Sequence, residues 1–239
     1  MDLKIKDVIE LLGVSETTIR RWLADGKIPA YRINQQYRFS RTEIENWVMS
    51  RKIGRNGSSV PFKDTSMGQH AIEQGCQAKG GSKHFGLYRA IHKGGVLYDV
   101  PGATKEEVIQ NTMKMVATDL ALDAEGIAAL LLDREALQPT SLSNGIAIPH
   151  TRDFLLNAHY DAVTVAFSSQ PLQYGALDGK PVDILFFLFA CDDKRHLHLL
   201  AKIAHLGNNP EILKFLQSRP AKDKLLAYIK DWESSLGSH

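Results

Sequence analysis

His150 stands at the end of a short apolar run that reads GIAIPHTR over residues 145–152. The β-branched residues Ile146 and Ile148 favour a buried strand, and Pro149 predicts its end because proline has no N–H to donate to a sheet. Imidazole is a good neutral nucleophile near pH 7, and a strand end holds it on rigid backbone while leaving it open to a partner. The pattern favours chemistry at His150. The alternative is a surface loop histidine beside a strand.

Two further residues could share a site with His150. Arg134 ends a helix predicted over residues 124–134, and His196 opens the helix after the most apolar strand, so both can lie at the same end of a sheet. A guanidinium binds phosphoryl oxygens through paired hydrogen bonds, and a second imidazole can stabilise charge or fix a tautomer. Two alternatives stay open: Arg134 caps its helix C-terminus, or His196 and His198 form a zinc site. Residues two apart on a helix point to different sides, which disfavours the zinc site.

The composition is that of an ordinary globular protein. Of 239 residues, 44% are hydrophobic, and 29 basic residues nearly balance 27 acidic ones. This balance excludes a polycationic nucleic-acid coat, so any nucleic-acid site must be local. The absence of an 18-residue apolar run and of a signal-peptide core predicts a cytoplasmic protein with no membrane insertion. Cys76 and Cys191 stand in unrelated contexts, which fits a reducing compartment.

A change of composition divides the chain into two parts. Residues 54–84 are rich in Gly and Ser and poor in large apolar side chains, which predicts a flexible linker between domains over residues 1–53 and 85–235. In the larger part, predicted strands alternate with predicted helices, which indicates an α/β layered domain. The strands are predicted over 146–148, 162–167 and 182–190, and the helices begin near 104, 124, 194 and 210, the last running to about 228. The run 184–189 is apolar on both faces and predicts a central strand.

The smaller part has the pattern of a helix-turn-helix. Helices are predicted over residues 6–12, closed by Gly13, and over residues 16–24, with Ser15 as N-cap. A hairpin is predicted from residues 31–33 and 37–39, and a capping box at residues 40–43 opens a third helix. The second helix would present hydroxyl and basic side chains outward, and the hairpin would carry two arginines. These candidate DNA-binding residues are Ser15, Thr17, Thr18, Arg20, Arg21, Arg32 and Arg38.

DNA binding is the function that this arrangement favours. Hydroxyl and guanidinium groups at the start of a helix can reach base edges, while arginines on a wing neutralise phosphates. The alternative is a protein-interaction module whose arginines are solvated surface charges. The segments VIELLGVS at 8–15, TIRRW at 18–22, GKIPA at 26–30 and YRF at 37–39 resemble the excisionase and MerR-type winged helix-turn-helix. That resemblance implies a DNA-binding domain.

The larger part resembles enzyme IIA of the bacterial sugar phosphotransferase system, in its fructose, mannitol and nitrogen-regulatory class. The motifs are LLDREAL at 131–137, GIAIPH at 145–150, LDGKPVD at 177–183 and HLHLLAKIA at 196–204. The resemblance implies a layered mixed sheet flanked by helices, and phosphorylation of His150 by HPr or its nitrogen-branch counterpart. It assigns the second active-site histidine to His196 and the active-site arginine to Arg134. No cofactor or metal is implied, and the protein would be a phosphotransferase component rather than a stand-alone enzyme.

The combination suggests a regulator. In sugar transport the phosphate would pass to a cysteine of a separate IIB domain, but neither Cys76 nor Cys191 has a IIB-like context and no IIC membrane segment is found. We therefore expect phosphorylation of His150 to change the charge at a homodimer or interdomain contact and so to affect DNA binding through residues 1–53. Two rivals remain: a phosphocarrier that supplies a separate IIB or target protein, and a DNA-binding protein whose IIA domain senses partners without transfer.

Overall fold

The computed structural model describes residues 3–12, 14–33, 36–50, 86–151, 160–176 and 178–236. The predicted Gly13 cap, the hairpin turn at 34–35, the linker over 54–84 and Cys76 lie outside the described residues. Within the described ranges, none of the helices is both long and apolar enough to cross a membrane.

The N-terminal part contains three helices and a hairpin around its own apolar cluster. Ser15 caps the second helix by accepting a hydrogen bond from the Thr18 N–H at 3.2 Å. Trp22 of that helix packs against Trp47, with ring centroids 5.3 Å apart. Glu43 does not close a capping box as predicted, because its carboxylate accepts a hydrogen bond from Tyr31. The elements are α1 (Ile5–Leu12), α2 (Glu16–Ala24), β1 (Tyr31–Ile33), β2 (Gln36–Arg38) and α3 (Arg41–Ser50).

The larger part has six helices and four strands in its described ranges. They are α4 (Gly86–Gly94), β3 (Val96–Val100), α5 (Lys105–Leu120), α6 (Ala124–Leu137), β4 (Ile146–Ala147), β5 (Ala162–Leu172), β6 (Val182–Phe189), α7 (Asp193–Gly207), α8 (Pro210–Gln217) and α9 (Lys222–Leu236).

Several details differ from the pattern-based prediction. Strand β5 continues past residue 167 to Leu172. Helix α6 continues past Arg134 to Leu137, and α4 and β3 were not predicted. The helix predicted from residue 210 to about 228 is two helices. They separate because Arg219 takes a left-handed φ of 49° and is followed by Pro220, neither of which continues a helix easily.

The four strands form a mixed sheet in the order β3-β5-β6-β4. The outer pairs, β3 with β5 and β4 with β6, are parallel, and β5 with β6 is antiparallel. One apolar cluster on each face joins the sheet to its helices, with α4 and α7 to α9 on one side and α5 and α6 on the other. The α/β layered fold is confirmed, and β6 lies centrally because its side chains are apolar on both faces.

Candidate functional site

The backbone at residues 149–150 is fastened to the central strand. β4 ends at Ala147, two residues before Pro149, but the Pro149 carbonyl still accepts a hydrogen bond from the Leu188 N–H at 3.0 Å. His150 itself pairs with Leu188 in a parallel bridge. The imidazole is therefore held on the edge of the sheet beside β6. Its position follows from the apolar run before it, whose side chains are fully buried.

The His150 ring has a defined tautomer. Its Nδ1 lies 2.7 Å from the Ile148 carbonyl oxygen. A carbonyl oxygen can only accept, so we assign the proton to Nδ1 and the lone pair to Nε2. The Nε2 atom is buried and makes no hydrogen bond with any residue in the described ranges. A neutral imidazole with an uncommitted Nε2 lone pair has the electronic structure of a nucleophile.

The surroundings keep this imidazole neutral. Burial is the main cause that lowers the pKa of His150 to about 3, and the neighbouring His196 and the Arg134 charge lower it further. The hydrogen bond to Ile148 and the Glu45 carboxylate act in the opposite direction. At pH 7 the ring therefore retains its lone pair.

His196 and Arg134 come from two different helices to the same place. His196 lies in the first turn of α7, where its N–H is hydrogen-bonded to the Asp192 carbonyl at 2.9 Å, and its ring centroid is 5.2 Å from that of His150. Arg134 is almost fully buried, and its Nη1 donates to the Gln138 carbonyl at 2.9 Å just after α6 ends. Arg134 thus contacts its own helix C-terminus and also contributes charge to the site. The structure brings together all three residues predicted for this site.

His198 lies elsewhere. Its ring packs beside Gly86 at the start of α4, 4.0 Å from where a Cβ on that glycine would be. No group of three His, Cys, Asp or Glu side chains suited to a metal ion occurs among the described residues. The arrangement therefore gives no support to a zinc site formed by His196 and His198.

The prediction that His150 is open to a partner is wrong. Its side chain is 0% exposed, and helix α3 of the N-terminal part packs against α7 beside the site. Arg41 forms an ion pair with Asp193 at the start of α7. The Asn46 amide donates to the Gln138 side chain at 2.8 Å, and its oxygen lies 3.5 Å from Nη2 of Arg134.

Four residues around the site are not predicted by local sequence patterns. They are Arg41, Glu45, Asn46 and Asp193. Glu45 is the most unusual, since its carboxylate is 0% exposed and forms an ion pair with Arg41 at 3.0 Å. The sequence gives one indication that Glu45 is buried, namely its position next to the apolar Ile44 in a predicted helix.

The candidate DNA-binding residues lie on α2 and the hairpin, whereas α1 and α3 contact the larger part. The side chains of Thr17, Arg20, Arg21 and Arg32 are exposed, and those of Thr18 and Arg38 are partly exposed. Arg20 pairs with Glu16 at 2.7 Å, and Arg38 donates to Gln36 at 3.1 Å. The exposed Ser15 hydroxyl is occupied as a helix cap.

Comparison with known proteins identifies the larger part. Residues 90–232 match the family model described as phosphoenolpyruvate-dependent sugar phosphotransferase system, EIIA 2, which is more than half of the chain. The chain belongs to the EIIA type 2 family. Residues 3–52, ahead of this EIIA domain, match a helix-turn-helix domain family.

The relatives of the EIIA domain include nitrogen regulatory proteins. The nitrogen regulatory protein of Pseudomonas aeruginosa is 34% identical over 148 residues, which are 61% of this chain and 95% of that protein. Its Escherichia coli counterpart is 30% identical over 135 residues, 55% of this chain and 82% of that protein. Nitrogen regulatory protein IIA-Ntr from Neisseria meningitidis has the same fold, with a TM-score of 0.51 at 23% identity. That match covers 60% of this chain and 94% of the other.

Proposed function

We propose that this protein accepts a phosphoryl group on Nε2 of His150 from an HPr-type phosphohistidine carrier, and that its N-terminal domain binds DNA under the control of that phosphate. The observation that supports this best is the His150 ring itself. It is neutral, its proton is placed on Nδ1 by the Ile148 carbonyl, and it stands beside His196 in an EIIA domain. We also propose that the protein works in the cytoplasm.

The transfer is an in-line displacement between two imidazoles. The Nε2 lone pair of His150 attacks phosphorus as the bond from phosphorus to the donor nitrogen breaks. A donor ring protonated on its second nitrogen then leaves as neutral imidazole with the electron pair. The Nδ1–H group of His150 keeps its hydrogen bond to the Ile148 carbonyl, which fixes the ring during the attack. Such a reaction needs positioning and charge stabilisation more than further covalent chemistry.

Arg134 and His196 act on the phosphoryl oxygens. The guanidinium of Arg134 offers a planar fork of N–H donors, which suits oxygens that carry negative charge. The His196 ring can donate one hydrogen bond to the same group, and its attachment to α7 keeps it in place. Both side chains are held before any phosphate arrives, so the site is organised in advance for the transfer.

Phosphorylation of the full-length protein by phosphoenolpyruvate, enzyme I and HPr tests the acceptor site. We expect an acid-labile phosphate on the wild type and none on His150→Ala. His92→Ala is the matched control, because His92 is an exposed histidine on α4, and it should be phosphorylated like the wild type. Phosphate that persists in His150→Ala would refute the assignment.

The two rival functions differ in what happens to the phosphate. A phosphocarrier would lose the label rapidly to an added IIB domain, whereas a regulator would keep it and change its DNA binding. Within the described residues the chain offers a poor cysteine acceptor of its own, since burial raises the pKa of the Cys191 thiol to about 12. A sensor that transfers nothing would remain unlabelled. The homodimer stays a prediction that sedimentation of the labelled and unlabelled protein can test.

A further inference from the structure

The contact between the two domains combines apolar and polar groups. Helices α1 and α3 pack on α7, where Leu11 joins the apolar cluster of the EIIA domain and Leu3 and Met49 touch its edge. The polar contacts include the Arg41–Asp193 ion pair and the hydrogen bonds of Asn46 with Gln138 and Arg134. A cleft of about 380 Å³ stays open in this seam between α1 and the start of α7. Interfaces of this kind within a chain separate readily.

Helix α3 carries a buried anion on the side of the contact. Glu45 of α3 is fully buried, and its charge raises the pKa of His150, so the carboxylate lies within electrostatic range of that ring. Its neighbour Asn46 bonds the Gln138 side chain and approaches Arg134. A buried carboxylate on α3 thus lies near enough to act on the ring that would carry the phosphoryl group.

We propose that helix α3 is an intrachain ligand of the phosphorylation site, with Glu45 in the place of the phosphoryl group, so that docking of the N-terminal domain and phosphorylation of His150 exclude one another. This inference rests on the proposed function. It adds that α3 is the segment that blocks the site and that the negative charge of the phosphoryl group keeps α3 from docking.

Access is the first reason for exclusion. The Nε2 atom of His150 is buried in the docked arrangement, so a carrier protein cannot bring its phosphohistidine in line with that atom while the domains are docked. The carrier therefore reacts only with the undocked fraction of molecules, and the observed rate is reduced by that fraction.

Charge is the second reason. A phosphoryl group adds about one and a half to two negative charges at neutral pH. In a site closed to water, that charge would face the Glu45 carboxylate, and like charges in such surroundings repel strongly. Arg41, with its single positive charge, already faces both Glu45 and Asp193. Once His150 is phosphorylated, α3 cannot return to the same position.

The rate of phosphorylation in the full-length chain tests the access argument. Asp193→Ala and Arg41→Ala each break the ion pair across the contact, one from each domain. We expect both to be phosphorylated faster than the wild type, by up to about tenfold for a wild-type site that is docked nine-tenths of the time. Lys27→Ala is the matched control, since Lys27 is an exposed cation of the same domain paired only locally with Asp25 in the described structure. It should keep the wild-type rate.

The Glu45→Gln variant tests the charge argument. If the carboxylate binds as an anion, its loss weakens docking and also speeds phosphorylation. Hydrogen exchange of the full chain supplies a readout that does not depend on transfer. Amides of α3 and of the first turn of α7 should exchange faster in Arg41→Ala, Asp193→Ala and Glu45→Gln, and faster in the phosphorylated wild type than in the unphosphorylated one.

The outcomes separate the two proposals. Equal phosphorylation rates in folded variants whose α3 amides exchange faster would overturn this inference and leave the proposed function intact. Unchanged α3 exchange in the phosphorylated wild type would overturn it as well. Absence of phosphate on the wild type and on every variant would overturn the proposed function, and with it the exclusion. Circular dichroism of Arg41→Ala confirms folding, and Asp193→Ala provides the same test from the other domain.

Discussion

The ring of His196 meets the ring of His150 edge to face, with centroids 5.2 Å apart and planes inclined at 61°. The two residues come from independent elements, the first turn of α7 and the chain after β4, and both elements are anchored to β6 or follow it directly. A group bonded to Nε2 of His150 would therefore lie beside a second imidazole in a fixed orientation.

His196→Ala should slow phosphorylation of His150 by about 10²- to 10³-fold, which is typical of removing one preorganised hydrogen-bond donor from a charged transition state. The initial rate of phosphate incorporation from the carrier measures this. His198→Ala is the matched control, because that ring points toward α4. A similar loss in both variants would indicate a general disturbance of α7 instead.

Arg134→Lys should be at least about tenfold slower than the wild type, although it keeps the charge, because an ammonium cannot make paired planar hydrogen bonds to phosphoryl oxygens. The same initial-rate assay applies. Arg89→Lys, on the exposed side of α4, makes the same chemical change away from the site. A wild-type rate in Arg134→Lys would mean that only the charge of Arg134 matters.

The stability of the protein should decrease in mild acid because of His150. Its folded pKa is lowered to about 3, first by burial and then by His196 and Arg134, with Glu45 opposing. The unfolded imidazole takes up a proton below about pH 6.5, so between pH 6.5 and 3 the unfolded state binds more protons. The stabilisation is complete above pH 6.5 and falls by about 1.4 kcal/mol per pH unit as the pH decreases.

Urea unfolding at pH 6.5 and pH 5 measures this effect. The free energy of unfolding of the wild type should fall by about 2 kcal/mol more than that of His150→Gln over this range, which is 1.5 units of one proton's linkage. Comparing the two proteins cancels the contribution of other titrating groups to the pH dependence. Among these are His205, with a pKa lowered by burial, and Asp161, with a pKa raised by burial. Parallel decreases in the two proteins would show that His150 is protonated in the native state.

DNA binding by the full-length protein should depend on salt and on α2. Arg21→Ala should weaken binding and reduce the slope of log affinity against log salt by about one if its guanidinium contacts a phosphate. Lys230→Ala, on the exposed face of α9, is the control and should leave both quantities unchanged. Salt-independent binding would favour the protein-interaction alternative for this domain.

Local signals explain which parts of the fold could be predicted. The apolar run of β6 predicts a central strand, and Ser15 and Thr104 predict helix starts, because these effects act within a few residues. Strand β3 gives a weak signal, since it is short and partly exposed. The break after α8 was predictable from Pro220, whereas the left-handed conformation of Arg219 before it is one that an arginine rarely adopts.

The sequence predicts the three central residues of the site, which all belong to the EIIA domain, but not the contact that α3 makes beside them. Arg134, His150 and His196 belong to motifs that predict a position at the same end of the sheet for all three residues. Glu45 and Asp193 meet through a contact between surfaces distant in the chain, and no periodicity relates them. The exposure of His150 was therefore predicted wrongly, although its neighbours were predicted.

The covalent connection between α3 and the His150 site has a kinetic consequence. Because both belong to one chain, the effective concentration of the helix at its site does not depend on the concentration of the protein. A few polar bonds are then enough to keep the site closed, although the same helix supplied as a separate peptide would bind poorly. An incoming carrier must compete with α3, a weak ligand that cannot diffuse away. The rate of phosphorylation therefore measures the fraction of molecules in which α3 is undocked.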